Sequence, residues 1–174
     1  MRSVDEPMIR AMEQSDIARI AEWMAADDLW QRYRLSPATI AADFERGLDR
    51  ADLMLVADGE VPACGFAWCL PTGMFGAFPY LKRFAVDPAC AGQGVGSRLL
   101  DRLESALLAR QQRELFLLVS DFNLDAQRFY QRHGYAEIGR VSELVLPGVA
   151  ELLLRKQLQG LSYSQPFPKS TARG

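Results

Sequence analysis

One stretch of the sequence, residues 80–109, constrains the fold most strongly because it joins three different backbone patterns. Tyr80–Val86 has the aromatic and β-branched content of a strand, and Asp87-Pro88 ends this strand because proline cannot donate to the ladder. Glycine then occupies alternate positions in Gly92–Gly96. Apolar residues that recur at helical spacing follow: Val95, Leu99, Leu100, Leu103 and Leu107. A strand, a tight turn and an amphipathic helix in this order predict a helix packed on a sheet.

The rest of the chain adds further helices and strands. Before residue 80 the patterns predict a strand Pro7–Met12, a helix Asp16–Met24, a helix beginning at Ser36-Pro37, a strand Leu53–Ala57, a hairpin turn at Asp58-Gly59, a strand Val61–Leu70 and a break at Pro71-Thr72-Gly73. After residue 109 they predict a strand Glu114–Ser120, a helix from Asn123 or Asp125 to His133, and strands Tyr135–Leu144 and Ala150–Leu154 around a turn at Pro147-Gly148. This order predicts an α/β (α+β) domain with one mixed sheet flanked by helices.

Length and composition fit a single soluble domain. The chain has 174 residues, and we assign residues 1–158 to one domain and expect residues 159–174, which contain Ser, Pro and Gly, to form a poorly ordered tail. The net charge of −2 gives no overall attraction to nucleic acid or to an anionic membrane. Charges or prolines interrupt every candidate membrane span, so we expect a cytoplasmic protein with neither partner. The three cysteines have no metal-ligand spacing, which predicts reduced thiols and no metal site.

The glycine turn is a candidate anion site. Backbone amides at the start of a helix lack internal partners, and glycines let a ligand approach them closely. A diphosphate fits such a turn, and close packing of helix on sheet is the alternative. A P-loop is excluded because Ser97, and no lysine, follows Gly96. A dinucleotide fingerprint is excluded because the glycines are spaced G-x-G-x-G in mid-chain and Glu114 begins the next strand.

Two segments carry a resemblance to a known family. Val86-Asp87-Pro88 followed by Gly92–Leu100 resembles the acetyl-CoA motif of the GCN5-related N-acetyltransferases, Q/R-x-x-G-x-G/A, whose last two glycines fall on Gly94 and Gly96. A second set matches the family at the same spacings: Asn123, Ala126, Phe129-Tyr130 and Gly134-Tyr135. The chain departs from the motif at Ala91, where the family has Gln or Arg. We expect binding to survive, because the family uses that position largely through its backbone. The resemblance implies a splayed sheet and acetyl-CoA as cosubstrate.

The resemblance also assigns residues to acetyl-CoA. Backbone groups of Phe84 to Val86 would pair with the pantetheine arm, and amides of the turn would hold the pyrophosphate. Asn123 would bridge the arm and the helix start, with a plain helix cap as the alternative. Arg128 or Arg132 could reach the outer phosphate of the cofactor, with a solvated helix face as the alternative for each. The expected contacts are Phe84, Ala85, Val86, Ala91, Gly92, Gln93, Gly94, Val95, Gly96, Ser97, Asn123, Ala126, Phe129, Tyr130 and Arg132.

For catalysis, Tyr130 is the expected acid, since a phenol within hydrogen-bond reach can protonate the departing CoA thiolate. The base that takes the proton of the amine stays open among Tyr80, Asp121 and Glu143. His133 is the single histidine of the chain. It falls in the last turn of a predicted helix, where a cation is favoured, so we expect an exposed structural role for it.

The expected acceptor is a primary amine of a small molecule or peptide, acetylated by direct attack. The predicted acceptor side carries aromatic and acidic residues: Asp27, Asp28, Trp30, Tyr33, Phe75 and Phe78. Such a set would suit a cation. Two alternatives stay open, a non-catalytic module that binds or senses acyl-CoA and a transferase that uses a longer acyl-CoA. The sequence leaves the oligomeric state open, with a homodimer as one arrangement.

Overall fold

The computed structural model describes residues 6–158, so the predicted tail at residues 159–174 lies outside the described residues. Seven strands and five α-helices form within this range. In chain order they are β1 Met8–Ala11, α1 Ile17–Ala26, α2 Asp28–Arg32, α3 Pro37–Asp49, β2 Leu53–Asp58, β3 Gly65–Met74, β4 Phe78–Val86, α4 Val95–Ala109, β5 Glu114–Ser120, α5 Leu124–Arg132, β6 Ala136–Ser142 and β7 Ala150–Gln157. Short 3₁₀ turns lie at Gln14–Asp16 and Pro88–Cys90.

The seven strands form one mixed sheet in the order β1-β2-β3-β4-β5-β7-β6, which confirms the predicted fold class. Within the described chain, β4 and β5 are the only parallel neighbours. Their pairing consists of Tyr80 with Phe116 and Leu81 with Leu117. Although β4 continues to Val86, it makes no further pairs with β5. The two strands therefore splay apart, and the edge of β4 that faces β5 is left without a strand partner.

A β-bulge in β4 lies at the start of this splay. Trp68 of β3 is opposite Arg83, whereas the next residue, Cys69, is opposite Leu81. Lys82 is therefore an extra residue in β4. Because a bulge bends its strand and increases the local twist, it turns β4 away from β5 immediately after their last pair.

Helices cover both faces of the sheet. On one face, α1 and α3 bury Ile20 and Phe44 against Phe66 and Trp68 of β3. On the other face lies α4, whose apolar stripe is buried as its spacing predicts: Val95, Leu99, Leu100, Leu103 and Leu107. The helix of the predicted strand-turn-helix segment therefore packs on the sheet, and its first turn lies beside the splayed half of β4.

Two predictions from local patterns are wrong. The turn at Asp58-Gly59 is not a two-residue hairpin, because a connection covering residues 59–64 precedes β3. The carboxylate of Asp58 accepts a hydrogen bond from the amide of Ala63 at 2.8 Å and pairs with Arg10, which stabilises the longer loop. The predicted break at Pro71-Thr72-Gly73 is also absent, since β3 runs through it with an irregular register.

One short helix, α2, is missing from the sequence prediction. It spans only Asp28–Arg32 and begins after Asp27, whose side chain accepts a hydrogen bond from the amide of Leu29 at 2.7 Å. Five residues are too few to show a helical repeat of apolar positions. Trp30 in this helix and Tyr33 directly after it line a cavity beside β4.

Replacing Gly47 with alanine tests the packing of α3 on the sheet. A Cβ at Gly47 would lie 2.6 Å from a ring carbon of Trp68, which is fully buried. Overpacking of this kind costs about 1–3 kcal/mol, more than the ~1 kcal/mol that alanine gains over glycine in a helix. We expect G47A to lower the free energy of unfolding measured in urea. In G139A, the control, the new Cβ meets nothing within 4 Å, and equal losses in both variants would contradict the packing described.

Candidate active site

The turn between β4 and α4 presents backbone amides to one side. Asp87 caps the 3₁₀ turn by accepting a hydrogen bond from the amide of Ala89 at 2.9 Å. Gly92 and Gly94 both have φ of +77°, a conformation that disfavours any side chain. Gly94 is also the N-cap of α4, and it offers no side chain to the first helical amides. The amides that begin α4 therefore lack intrahelical partners, and the turn at residues 92–97, which we call the amide cradle, is suited to an anion.

Two contacts between α4 and α5 support this cradle. A Cβ at Gly96 would lie 3.4 Å from the ring of Phe129, so the helices approach closely there. Nε2 of His133 lies 3.0 Å from Oγ of Ser97, and Nδ1 lies 2.8 Å from the carbonyl oxygen of Phe129. His133 is half-buried rather than exposed as the sequence suggested. Its ring joins the end of α5 to the start of α4.

A cavity of about 540 Å³ runs from the cradle along the splayed half of β4. It is lined by nearly all residues that the sequence assigned to acetyl-CoA: Phe84, Ala85, Val86, Ala91, Gly92, Gly94, Val95, Gly96, Ser97, Asn123, Ala126, Phe129, Tyr130 and Arg132. Gln93 is exposed and lies outside this lining. An amide cradle at one end and an unpaired strand edge beside it fit a ligand that has phosphates and a peptide-like arm.

A second cavity, of about 350 Å³, adjoins the first and is also lined by Tyr130. Its walls come from α2, β4, the end of β5, the β6–β7 connection and the start of β7. Six residues line both cavities: Leu29, Trp30, Phe84, Asn123, Ala126 and Tyr130. The two cavities therefore adjoin along a shared wall that includes Tyr130.

Tyr130 is held rigidly at this junction. Its side chain is 7% exposed, and its ring packs near those of Phe84, Phe129 and Tyr135, with centroids 5.3–6.2 Å away. Its hydroxyl makes no hydrogen bond to residues 6–158, so it is available to a ligand. Burial, with a smaller effect of Tyr80, raises the pKa of Tyr130 above its usual value. The phenol therefore stays protonated at neutral pH and is ready to donate.

At the two ends of α5 the side chains take different roles. Asn123 caps the helix, and its Oδ1 accepts a hydrogen bond from the amide of Ala126 at 3.2 Å. Arg132, in the last turn, is exposed and lines the first cavity. Arg128 pairs with Asp125 at 2.6 Å on the solvent side. Arg132 is thus better placed than Arg128 to meet a phosphate in the first cavity.

The three candidate bases lie in different surroundings. Tyr80 lines the second cavity, and burial, together with Glu151, raises the pKa of its phenol, which disfavours the deprotonated form. Asp121 is outside that lining, and its Oδ2 accepts a hydrogen bond from the amide of Ala150 at 3.2 Å. Glu143 is exposed and accepts a hydrogen bond from the amide of Gly148 at 3.0 Å. The base roles of these three residues stay predictions.

A chain of buried polar side chains in the second cavity was not predicted from the sequence. Glu151 is 4% exposed, and its Oε1 accepts a hydrogen bond from Oγ of Ser120 at 2.8 Å. The same Ser120 oxygen is hydrogen-bonded to the hydroxyl of Tyr33. One signal was present in the sequence, since Glu151 is the single acid in the otherwise apolar strand Ala150–Leu154.

The basic side chains of this cavity are partly neutralised from the helix side. Lys82 and Arg83 both pair with Asp43 of α3, and the Lys82 ammonium lies 3.8 Å from the ring centroid of Trp68. Nη1 of Arg83 is buried and lacks a hydrogen-bond partner among the described residues. Since a buried donor without an acceptor is costly, this nitrogen is available to an acceptor atom of a ligand.

A membrane-spanning helix and a cluster of metal-ligating side chains are both absent from residues 6–158. None of the described helices is long and apolar enough to cross a membrane. No group of three or more His, Cys, Asp and Glu side chains within that range is arranged to hold a metal ion.

Solved structures with the same fold are numerous among known proteins. A Salmonella typhimurium protein solved with its cofactor acetyl-CoA is 19% identical, with a TM-score of 0.71, 93% of this chain covered and 98% of that chain. The ribosomal-protein-alanine N-acetyltransferase of Brucella melitensis is 19% identical, with a TM-score of 0.71 over 87% and 99% of the two chains. An aminoglycoside 6'-N-acetyltransferase complexed with coenzyme A is 13% identical, with a TM-score of 0.72 over 90% and 99%.

A family comparison identifies the chain more directly than these distant likenesses, which show the fold alone. The acetyltransferase (GNAT) family matches residues 17–135. The match extends from α1 to the residue before β6, so it includes the amide cradle, the splayed strands and Tyr130. The chain belongs to the GNAT family of acyl-CoA-dependent acetyltransferases.

Proposed function

We propose that this protein transfers the acetyl group of acetyl-CoA to a primary amine of a small molecule or peptide, by direct attack of the amine on the thioester. The observation that carries the proposal is the meeting of two cavities at Tyr130. The first cavity has the amide cradle and strand edge that suit the cosubstrate, and the second, adjoining cavity leaves room for an acceptor. Both reactants then reach the same buried phenol.

Acetyl-CoA binding is assigned to residues of the first cavity. The amides that begin α4 hold the pyrophosphate, because they lack intrahelical partners and the helix dipole favours negative charge there. The free edge of Phe84 to Val86 pairs with the pantetheine arm as another strand would. Arg132 at the end of α5 meets the outer phosphate. Gly94 and Gly96 leave the space that this approach of the ligand needs.

Tyr130 acts as the acid in this reaction. The neutral amine attacks the thioester carbon, a nitrogen–carbon bond forms, and collapse of the tetrahedral intermediate breaks the carbon–sulfur bond. The departing thiolate takes the phenolic proton of Tyr130, and the Tyr130 phenolate then takes the extra proton of the newly formed amide nitrogen. The raised pKa of Tyr130 supports this role because the phenol carries its proton at the start of each turnover.

Two further observations support the class of acceptor and the compartment. One protein of the same fold is named for an aminoglycoside and another for a ribosomal-protein alanine, so amines of small molecules and of peptides are both reasonable acceptors. Cys64, Cys69 and Cys90 are buried free cysteines, which agrees with the reducing cytoplasm.

A panel of amines tests transfer and the role of Tyr130 together. The wild-type protein is incubated with acetyl-CoA and polyamines, amino acids, aminoglycosides or N-terminal peptides, and release of the CoA thiol is followed. We expect release with at least one amine, and we expect Y130F to lower its kcat by about 10²–10⁴ while calorimetry finds the same acetyl-CoA affinity.

Tyr135→Phe provides the control for Tyr130. The hydroxyl of Tyr135 is buried nearby and donates to Glu104 at 2.9 Å, away from both cavity linings. Y135F therefore loses a hydroxyl but keeps its turnover. An unchanged kcat in Y130F would remove the acid role, and wild-type protein that binds acetyl-CoA without thiol release for any amine would favour a sensing module.

A matched pair of glycine variants tests the amide cradle. Gly94 and Gly148 have φ of +77° and +73°, and a Cβ at either meets nothing within 4 Å. Alanine therefore costs about 1–2 kcal/mol of backbone strain at each position, but only Gly94 lies in the cradle. We expect G94A to weaken acetyl-CoA binding by roughly tenfold in calorimetry, with G148A unchanged. Equal affinities in both variants would contradict the assignment of the cradle.

A further inference from the structure

Glu151 is a buried carboxylate in the wall of the acceptor cavity. It is the second residue of β7 and is paired with Ser120 of β5 on one side and Val141 of β6 on the other. The side chain is 4% exposed and yet lines the cavity. Among the residues that line this cavity it is the only carboxylate, and within residues 6–158 it has no salt bridge to a cation. A buried carboxylate without a cation is costly to maintain.

A hydrogen-bond chain from the helix layer fixes this carboxylate. Oγ of Ser120 donates its proton to Oε1 of Glu151 at 2.8 Å. Because that proton is used, the Ser120 oxygen must accept in its contact with the hydroxyl of Tyr33. The chain therefore runs from Tyr33 through Ser120 to Glu151, and it joins the residue after α2 to the neighbouring strands β5 and β7. One carboxylate oxygen is held by protein, and the other is available to a ligand.

The other charged and titratable groups near Glu151 do not neutralise it. Tyr80 and Tyr33 face it from β4 and from the end of α2, and both phenols have raised pKa values, owing first to burial. Asp121, at the end of β5, adds a negative charge. Lys82 and Arg83 line the same cavity from β4, but Asp43 of α3 pairs with both.

We propose that Glu151 accepts the proton of the acceptor's ammonium group, and that Ser120 and Tyr33 are the residues that position its carboxylate. The inference rests on the proposed amine acetylation. One proton moves from the ammonium nitrogen to the free oxygen of Glu151, which leaves a neutral amine with the lone pair that attacks the thioester. The protonated Glu151 returns this proton to water after the product leaves, so each turnover releases one proton.

Its surroundings suit Glu151 to this role better than they suit Tyr80 or Asp121. Burial is the main cause that raises the pKa of Glu151, Asp121 raises it further, and the hydrogen bond from Ser120 opposes them. A carboxylate with a raised pKa is a stronger base than an ordinary carboxylate. The raised pKa of Tyr80 keeps the proton on its phenol at neutral pH, and Asp121 is directed at the backbone of Ala150.

Glu151→Gln tests the proposal because it keeps the shape and removes the base. With an amine that the wild type acetylates, we expect E151Q to lose about 10²–10⁴ in kcat/KM at neutral pH, with unchanged acetyl-CoA affinity in calorimetry. The wild-type rate rises as pH increases through the pKa of Glu151, because only the carboxylate form accepts a proton. This rise is the acidic limb of the pH–rate profile, and E151Q lacks it. Glu137→Gln, an exposed glutamate of β6 that pairs with Arg140, is the control and keeps the wild-type rate and profile.

Ser120→Ala gives a second, independent measurement, which decides the question if E151Q does not fold. Since the hydrogen bond from Ser120 lowers the pKa of Glu151, its loss moves the acidic limb to higher pH. A merely structural role of Ser120 would lower stability and leave the limb where it is. Tyr33→Phe moves the limb in the same direction, because Tyr33 polarises the Ser120 hydroxyl.

The outcomes separate this proposal from the proposed function. Transfer in E151Q at the wild-type rate and pH profile would overturn the role of Glu151 and leave amine acetylation intact, as would an acidic limb that does not move in S120A. Wild-type protein that acetylates no amine would overturn both. A limb that disappears in E151Q, or shifts upward in S120A, supports Glu151 as the proton acceptor.

Discussion

The early end of the pairing between β4 and β5 is the constraint on which the rest of the structure depends. Two pairs, at Tyr80 and Leu81, join these strands, and the extra residue Lys82 then turns β4 away. Unpaired backbone groups inside a protein need other partners, so this edge favours a ligand that can act as a strand. The same divergence opens the sheet between two layers of helices. The two cavities that share Tyr130 lie where the sheet is not closed.

Burial gives the two proposed proton-transfer groups opposite tasks at this opening. It raises the pKa of the Tyr130 phenol, which keeps its proton for the leaving thiolate, and it raises the pKa of the Glu151 carboxyl, which makes a stronger base. One physical effect thus prepares an acid on α5 and a base on β7. The helix layer contributes through Tyr33, and the sheet contributes Ser120, so the acceptor side depends on contacts between elements distant in sequence.

Features with a local cause were predictable from the sequence. The stripe from Val95 to Leu107, the glycine turn and the Ser36 cap each follow from spacing or from the chemistry of single residues, and the structure contains all three. Features with a non-local cause were not predictable from the sequence. The loop after Asp58 depends on Arg10, which is far away in sequence, and the passage of β3 through Pro71 depends on its register with β4. Glu151 appeared as one acid within a strand, because its meaning depends on which residues of β5 and α2 surround it.

Amide hydrogen exchange with and without acetyl-CoA tests most directly the claim that the splayed strands hold the cosubstrate. When acetyl-CoA is added, we expect slower exchange at two separate segments, the free edge at residues 82–86 and the turn at residues 92–97. Both segments lie beside the opening between β4 and β5, and each would contact the ligand through different backbone groups. Slower exchange at neither segment, or only at elements on the far edge of the sheet such as β1, would contradict that claim.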